Sequence, residues 1–269
     1  MARRLLTFAL LGFLIYLLWP YNVWELKDHN PATTALIELR EAEARRMGNK
    51  FRPDMDWKNL EDISPSLVHA VFLAEDDQFY HHHGFDLEQI QIALQRDWSK
   101  KRYVYGGSTI TQQLARTLFL RPKKSIVRKL KEAVLTVYLE ALLSKKRILE
   151  LYLNVIEWGP GVYGAESASR FYFWKHASEL TPDEGVALAS ILPSPRRWSP
   201  FSEKVFMARR RTQLLERMKK AGYAPFFEDN TPAWTLPFAP VLNPPPDLNN
   251  LSAPDHAPAP DGDVPLPQQ

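Results

Sequence analysis

The sequence predicts a mainly α-helical protein with one N-terminal transmembrane helix. Two observations lead to this prediction. Apolar residues recur at helical spacing from about residue 28 to 230, and a run of twenty uncharged residues precedes them. The alternation typical of strands is hard to find. With 269 residues, of which 45% are hydrophobic, the chain is long enough to form a packed core. A collagen-like or wholly disordered protein is therefore excluded.

The uncharged run extends from Leu5 to Trp24 and follows Arg3 and Arg4. As a helix it would be about 30 Å long, which matches the hydrocarbon thickness of a bilayer. A cleaved signal peptide is the alternative, but the run has no small-x-small cleavage site and ends in aromatic residues typical of a membrane interface. We therefore expect residues 1–27 to be an uncleaved anchor with a cytoplasmic N-terminus, because the arginines precede it.

The composition limits the chemistry that is available. The absence of cysteine excludes disulfides, thiolate metal sites and cysteine nucleophiles, so any catalysis uses oxygen or nitrogen groups. Residues 231–269 contain four aspartates and no lysine, arginine or glutamate, which leaves 34 basic against 27 acidic residues in the rest of the chain. A basic surface of this kind suits anionic lipid headgroups, phosphates or nucleic acid about equally well.

The first chemically unusual segment follows a predicted helix that starts at Ser64-Pro65, an N-cap with proline in the first turn, and ends at Glu75. Three acidic residues and three histidines lie between Glu75 and Gly84. Successive histidines cannot all reach one ion from a regular helix or strand, which disfavours a metal held by all three. A carboxyl group against the apolar side of its own helix has a raised pKa, as a general acid or base needs. A solvated, capped helix end is the alternative interpretation.

The second segment runs from Gly106 to Arg116 and places two glycines and two hydroxyl residues at a predicted helix start. Such a start can present free backbone N–H groups to an anion, or it can be an ordinary N-cap. It is not a Walker A loop, because the Gly-Lys-Ser/Thr ending is absent. Gln112 and Gln113 are adjacent on the helix, so at most one of them would face a ligand.

The third segment lies on a longer helix predicted from Ile126 to Ala141. Arg128 and Glu132 are one turn apart on it and share a face. They could form an exposed ion pair that contributes about 0.3 kcal/mol, or they could belong to a phosphate-binding site.

Three further helices and a tail complete the prediction. The helices cover Ile148 to Val155, Thr181 to Ile191 and about Glu203 to Lys220; the second opens with the capping box Thr181-Pro182-Asp183-Glu184. The tail, 231–269, contains 11 of the 22 prolines and no periodic pattern, so we expect it to be extended and disordered.

In this order, the segments resemble the peptidoglycan glycosyltransferase family, which includes the glycosyltransferase domain of class A penicillin-binding proteins. The resemblance covers roughly residues 56–198 and implies a lysozyme-like, bilobed glycosyltransferase domain, which we place at 28–230. Five motifs carry it: Glu75-Asp76 with Phe79, His82 and Gly84; Gly107 to Leu114; Arg128-Lys129 with Glu132; Ile148-Leu149-Glu150 with Tyr152-Leu153-Asn154 and Gly164; and Glu179-Leu180 leading to Glu184, Leu188 and Pro193.

The resemblance implies polymerisation of lipid II. In that reaction the 4-hydroxyl of an acceptor N-acetylglucosamine attacks C1 of the N-acetylmuramic acid at the lipid-linked end of the growing strand. The anomeric centre inverts, a β-1,4 bond forms and undecaprenyl pyrophosphate leaves. The implied partners are lipid II, the lipid-linked glycan strand, membrane lipids and cell-wall synthesis or division proteins, without nucleic acid. The implied location is the bacterial inner membrane, crossed once, with the catalytic domain in the periplasm.

The resemblance also implies residue roles. Glu75 matches the catalytic glutamate and would act as the base. Glu132 matches the second essential glutamate, which either orients the basic residues or helps to hold a divalent ion, Mg²⁺ or Mn²⁺, on the pyrophosphate; no cofactor is obligatory. The residues implied in substrate binding, with Gln113 favoured for direct contact, are Asp76, Phe79, His82, Ser108, Thr109, Gln112, Gln113, Arg116, Arg128, Lys129 and Asn154.

One segment and one substitution complete the comparison with the family. Trp98 to Tyr105 resembles the family's mobile, membrane-facing segment. Thr117 stands where many relatives have an asparagine, which removes one polar contact.

Two other functions stay open on the sequence. A lytic transglycosylase or muramidase would share the helices and a catalytic glutamate, but it would act on finished glycan without needing the basic residues. An anchored scaffold would recruit partners through the Pro-rich tail. We expect no transpeptidase activity, because the tail is short and lacks a serine-lysine site.

Overall fold

The structure is a computed structural model that describes residues 2–19, 21–100, 107–121 and 125–223. It is mainly helical, as predicted. Residues 101–106 of the predicted membrane-facing segment and the whole tail, 231–269, lie outside the described residues. The α-helices are α1 Ala2–Leu18, α2 Ala35–Arg46, α3 Pro65–Glu75, α4 Leu87–Lys100, α5 Ile110–Phe119, α6 Ile126–Leu142, α7 Lys145–Val155, α8 Ala165–Phe173, α9 Pro182–Ile191 and α10 Val205–Lys220.

The predicted start signals lie at the starts of their helices. The Ser64 hydroxyl accepts a hydrogen bond from the backbone N–H of Ser66, and Pro65 occupies the first turn of α3. Thr181 and Glu184 form the predicted capping box of α9. Because these caps satisfy backbone groups that a helix start leaves free, both helices begin at the predicted residues.

Three short strands were not predicted. They are β1 Asp54–Met55, β2 Glu157–Gly159 and β3 Val162–Tyr163, in the order β1-β3-β2, with β1 parallel and β2 antiparallel to β3. Strands of two or three residues are too short to show an alternating pattern. Gly164 ends the hairpin at φ +83°, where a Cβ atom would lie 2.7 Å from the carbonyl oxygen of Asn154.

The N-terminal helix is shorter than predicted. Helix α1 ends at Leu18, whereas the sequence predicted one helix up to Trp24. Pro20 disfavours a helical conformation at the residue before it, and Tyr21 and Asn22 have positive φ. A 3₁₀ helix, Val23–Lys27, then buries Val23 in the core of the domain. The stretch Arg4–Lys27 is apolar and long enough to cross a membrane, and within the described part of the chain no other segment is.

Two groups of helices position the site. Helices α3, α9 and α10 pack against one another, and α5 packs against α6, α7 and α2. At Gly185 of α9, a Cβ atom would lie 3.0 Å from the backbone of Leu67, so glycine permits the close approach of α9 to α3. Fully buried leucines such as Leu114 and Leu135 fill the second group, and each contributes about 2 kcal/mol by burial. The C-terminal end of α3 therefore faces the first turns of α5.

Candidate active site

Glu75 is the last residue of α3, and its side chain is 14% exposed. The Nε2 group of Gln113 donates a hydrogen bond of 2.9 Å to Oε2 of Glu75, and Nη2 of Arg210 lies 3.7 Å from Oε1. Burial raises the pKa of Glu75, while the Gln113 hydrogen bond and the charges of Arg210 and Arg116 partly offset that rise. The carboxylate is therefore suited to accept a proton nearer to neutral pH than an ordinary glutamate.

Gln113 is held in one orientation by Tyr152. The Tyr152 hydroxyl donates a hydrogen bond of 2.9 Å to Oε1 of Gln113, so the amide nitrogen faces Glu75. Burial raises the pKa of Tyr152 well above its usual value, which keeps the hydroxyl protonated and able to donate. Gln113 is the glutamine that the sequence favoured for the site.

Gln112 points the other way and closes the start of α5. Its Oε1 accepts from the backbone N–H of Thr109, and the Thr109 hydroxyl accepts from the N–H of Gln112, which forms a capping box. Oδ2 of Asp76 accepts from the N–H of Ile110 at 2.9 Å. The anion at this helix start is thus a side chain of the protein, and the N-cap interpretation of the sequence is the one that the structure supports.

Asp76 is also bonded to His82. Nε2 of His82 lies 2.9 Å from Oδ1 of Asp76, and Nδ1 of His82 accepts from the N–H of Gly84. With Nδ1 as the acceptor, Nε2 carries the proton and donates it to the carboxylate. The Thr109 hydroxyl donates to the carbonyl oxygen of Gly84, so this network joins the loop after α3 to the start of α5. Asp76, His82, Thr109 and Gln112 hold the site in shape.

The basic residues surround Glu132. The carboxylate of Glu132 is 0% exposed and lies 2.9 Å from Nη1 of Arg128, 2.5 Å from Nζ of Lys129 and 3.9 Å from Nη1 of Arg116. The alternative of an exposed ion pair is therefore wrong, because the carboxylate is buried among three cations. A buried charge of this kind persists only when it is paired.

Arg116 joins the two halves of the site. Its guanidinium lies beside Glu132, and its charge also lowers the pKa of Glu75. Glu75, at the end of α3, and the cluster on α6 are thereby brought to opposite sides of one side chain of α5. The sequence-predicted base and the sequence-predicted cations belong to one site.

A cavity of about 220 Å³ opens beside Glu75 between the ends of α3 and α5 and the side of α10. Ser108 and Thr109, which the sequence predicted as subsite residues, contribute to its wall. The wall is polar and rich in carboxylates, which suits the hydroxyl-rich surface of a sugar. Its polar residues are Glu75, Asp76, Asp77, Asp86, Gln89, Ser108, Thr109 and Arg217.

Phe79 and Asn154 do not face the cavity, although they were predicted to bind substrate. Phe79 is 1% exposed and packs between Phe72 and the ammonium group of Lys145. Asn154 is 0% exposed, and its amide makes hydrogen bonds to both backbone groups of Lys58. The structure gives these two residues a packing role.

Arg210 is a site residue that the sequence analysis missed. It lies within three consecutive arginines on α10, which a helix necessarily directs to different sides. Arg210 reaches Glu75 and the carbonyl oxygen of Ser190, whereas Arg211 is buried and bonds the carbonyl oxygens of Pro200 and Ser202. The signal was present in the amphipathic pattern of the last helix, but its target is distant in the sequence.

The donor set around Glu132 does not fit a protein-held divalent ion. The neighbours of its carboxylate are cations, which occupy the oxygens that a metal would need. Within the described ranges, no group of three or more His, Cys, Asp or Glu side chains has the arrangement of a metal site. Of the two roles considered for Glu132, these contacts favour orienting the basic residues.

Comparisons with known proteins agree with this site. A family model described as Transglycosylase matches residues 42–219, a range that includes all the predicted site residues. The biosynthetic peptidoglycan transglycosylase of Aromatoleum aromaticum is 48% identical over 200 residues, which cover 73% of this chain and 86% of that protein. The protein of the same name from Dechloromonas aromatica is 43% identical over 221 residues, 81% of this chain and 95% of that protein. That of an Azoarcus species is 47% identical over 195 residues, 70% and 84% of the two chains. The chain therefore belongs to the transglycosylase family and is a peptidoglycan glycosyltransferase.

Proposed function

We propose that this enzyme polymerises lipid II by inverting glycosyl transfer, with Glu75 as the base and undecaprenyl pyrophosphate as the leaving group. The observation that carries the proposal is the placement of Arg116 between the buried carboxylates Glu75 and Glu132. A base and a cluster of cations at the two sides of one short distance are what this reaction needs.

The base acts on the acceptor sugar. An alcohol is a weak nucleophile until a base accepts its proton in the transition state. Glu75 supplies the base, Gln113 holds its Oε2 in place, and Tyr152 fixes Gln113. The acceptor 4-hydroxyl then attacks C1 of the donor sugar, its proton passes to Glu75, and the configuration at C1 inverts.

The cations act on the departing pyrophosphate. Glycoside hydrolases need a carboxylic acid to protonate their leaving group. A pyrophosphate is already stable as an anion, so Arg116, Arg128 and Lys129 can replace that acid by stabilising the charge that develops on the leaving oxygen. In this proposal Glu132 orients the three cations. A divalent ion, if the reaction uses one, would be bound chiefly by the pyrophosphate.

The membrane part of the proposal follows from the substrate. A polyprenyl-linked sugar does not leave the bilayer, so a tethered enzyme meets it by diffusion in two dimensions. We propose that residues 1–27 are the anchor, that residues 28–230 form the periplasmic catalytic domain, and that the inner membrane is the location. The exposed apolar side chains of α1, such as Leu6 and Phe8, support an anchor. Cross-linking of the glycan would be left to other enzymes, and the tail, 231–269, would be free to bind cell-wall synthesis or division proteins.

The experiment is polymerisation of labelled lipid II in detergent by wild type, Glu75→Gln and Glu132→Gln, with the products separated on a gel before and after muramidase digestion. We expect muramidase-sensitive ladders from the wild type alone. Cleavage of preformed glycan with lipid II left intact would overturn the proposal in favour of a lytic enzyme. Unchanged substrates under varied metal and detergent, with loss of partner binding on deletion of 231–269, would favour the scaffold.

A further inference from the structure

Lys131 is buried and has no part in the proposed reaction. Its side chain is 0% exposed, although it follows the basic residues of the site on α6. Its ammonium group donates hydrogen bonds to the carbonyl oxygens of Leu17, at 2.9 Å, and Trp19. It also lies 4.7 Å from the centre of the Tyr21 ring. Burial lowers the pKa of Lys131 to about 8, so the group is still mostly charged at neutral pH.

These bonds are made at the C-terminal end of the N-terminal helix. The last carbonyl groups of a helix have no partner within it and carry the negative end of the helix dipole. Next to a lipid phase such groups are costly to leave unpaired. The Tyr138 hydroxyl donates to the carbonyl oxygen of Leu18 at 3.0 Å. Two side chains two turns apart on α6 thus bind three successive carbonyl groups of α1 and the residue after it.

The attachment continues along the following segment. Val23 and Leu26 are buried in the core of the domain. Arg147 of α7 donates from Nε to the carbonyl oxygen of Leu26 at 2.8 Å and from Nη2 to that of His29 at 3.0 Å. The chain between α1 and the domain is therefore bound at several points.

We infer that Lys131 and Tyr138 are positioning residues that lock the outer end of α1 to α6, so that the anchor and the cations on α6 move as one body. The inference rests on the proposed function for its purpose. Arg128 and Lys129 lie in the first turn of α6, a helix of 17 residues without glycine or proline. A lock two to ten residues further along the same helix therefore sets their height above the bilayer. A pyrophosphate linked to a membrane lipid has a fixed depth, so the cations that meet it need one too.

The first experiment measures the orientation of the anchor and does not depend on activity. The chain contains no cysteine, so spin labels can be placed at Leu11→Cys and Ala141→Cys alone, and their separation measured by double electron–electron resonance in lipid nanodiscs. We expect one narrow distance distribution for the parent protein. Lys131→Met should broaden or displace it, and Tyr138→Phe should do so less. Lys146→Met, which removes an exposed lysine paired with Glu61, is the matched control and should change nothing.

The second experiment separates positioning from folding. Methionine is close to lysine in length and is apolar, so Lys131→Met is expected to keep the domain folded, and its melting temperature in detergent reports this. In proteoliposomes its kcat/KM for lipid II should fall roughly tenfold, because a small misplacement far from the chemistry is enough to cost that much. In detergent, where no bilayer fixes the depth of the substrate, most of that loss should disappear. Lys131→Arg should restore part of the bilayer activity.

Two results would overturn the inference: an unchanged distance distribution in both Lys131→Met and Tyr138→Phe, or an equal loss of activity in bilayer and detergent. If lipid II is not a substrate, the distance measurement still tests the lock, so the failure of the proposed function is distinguishable from the failure of this inference.

Discussion

Glu75 is expensive to ionise where it lies, and that cost links activity to stability. Burial raises its pKa in the folded protein above the ordinary value of 4.5, which the unfolded chain keeps. The folded state therefore binds the proton more tightly than the unfolded state. The stabilisation from this site is fully present below pH 4.5 and is lost as the pH rises through the pKa of the folded state.

The first prediction is that Glu75→Gln abolishes polymerisation and stabilises the protein at neutral pH. The amide cannot accept the proton, yet it has the same shape and carries no charge to bury. The free energy of unfolding, measured by urea titration across the pH range, should exceed that of the wild type by an amount that grows above pH 4.5. A difference that does not change with pH would contradict this account of Glu75.

The second prediction concerns the orientation of Gln113. Tyr152→Phe removes the donor that fixes the amide, so Gln113 no longer directs Nε2 at Glu75. Because that hydrogen bond lowers the pKa of Glu75, the acidic limb of the pH–rate profile should move to higher pH and the rate should fall about tenfold. Tyr172→Phe is the matched control, since this buried hydroxyl bonds the carbonyl oxygen of Trp158 away from the site. The same shift in both variants would argue against a specific role for Tyr152.

At the scale of elements, the site depends on how the end of α3 is joined to the start of α5. Asp76 accepts from the N–H of Ile110 and from His82, and both donors are buried or nearly so. The third prediction is that Asp76→Ala lowers the free energy of unfolding by about 3 kcal/mol, because it leaves these donors unpaired. Asp77→Ala, which removes a half-exposed ion pair with Arg217, should cost less than about 1 kcal/mol by the same denaturant titration. Equal costs would show that the network does not brace the loop.

The elements that the sequence predicted well are those with local signals. Ser64-Pro65 and the capping box at Thr181 satisfy backbone groups within their own first turns, so their positions can be read without the rest of the fold. The strands could not be predicted, because two-residue segments are defined by pairing with partners more than a hundred residues away. The end of α1 was placed too late because hydropathy does not reveal where the chain leaves the helix and enters the core at Val23.

Site residues follow the same rule. Glu75, Gln113 and Glu132 were predicted in the places where the structure brings them together. Phe79 and Asn154 share motifs with them but lie in the core, because a motif records neighbours along the chain and not the side on which a residue is buried. Arg210 was missed since its contact with Glu75 depends on how α10 packs on α3 and α9.

At the scale of the whole molecule, two helix groups meet so that a base on one faces cations on the other. The fourth prediction is that Arg128→Gln lowers kcat/KM for lipid II roughly a hundredfold, as expected when one donor to a developing anionic charge is lost. Arg45→Gln, on an exposed pair with Glu41, is the control and should leave the rate unchanged. The measurement is the rate of glycan formation at several lipid II concentrations. A normal rate in Arg128→Gln would favour an enzyme that acts on finished glycan.

The most direct test of the whole account is to follow glycan-bond formation and release of the lipid-linked pyrophosphate together, with doubly labelled lipid II in proteoliposomes. The account predicts one pyrophosphate released for each new β-1,4 bond by the wild type, and neither product from Glu75→Gln. Bonds formed at the wild-type rate by Glu75→Gln, or pyrophosphate released without bonds, would contradict it.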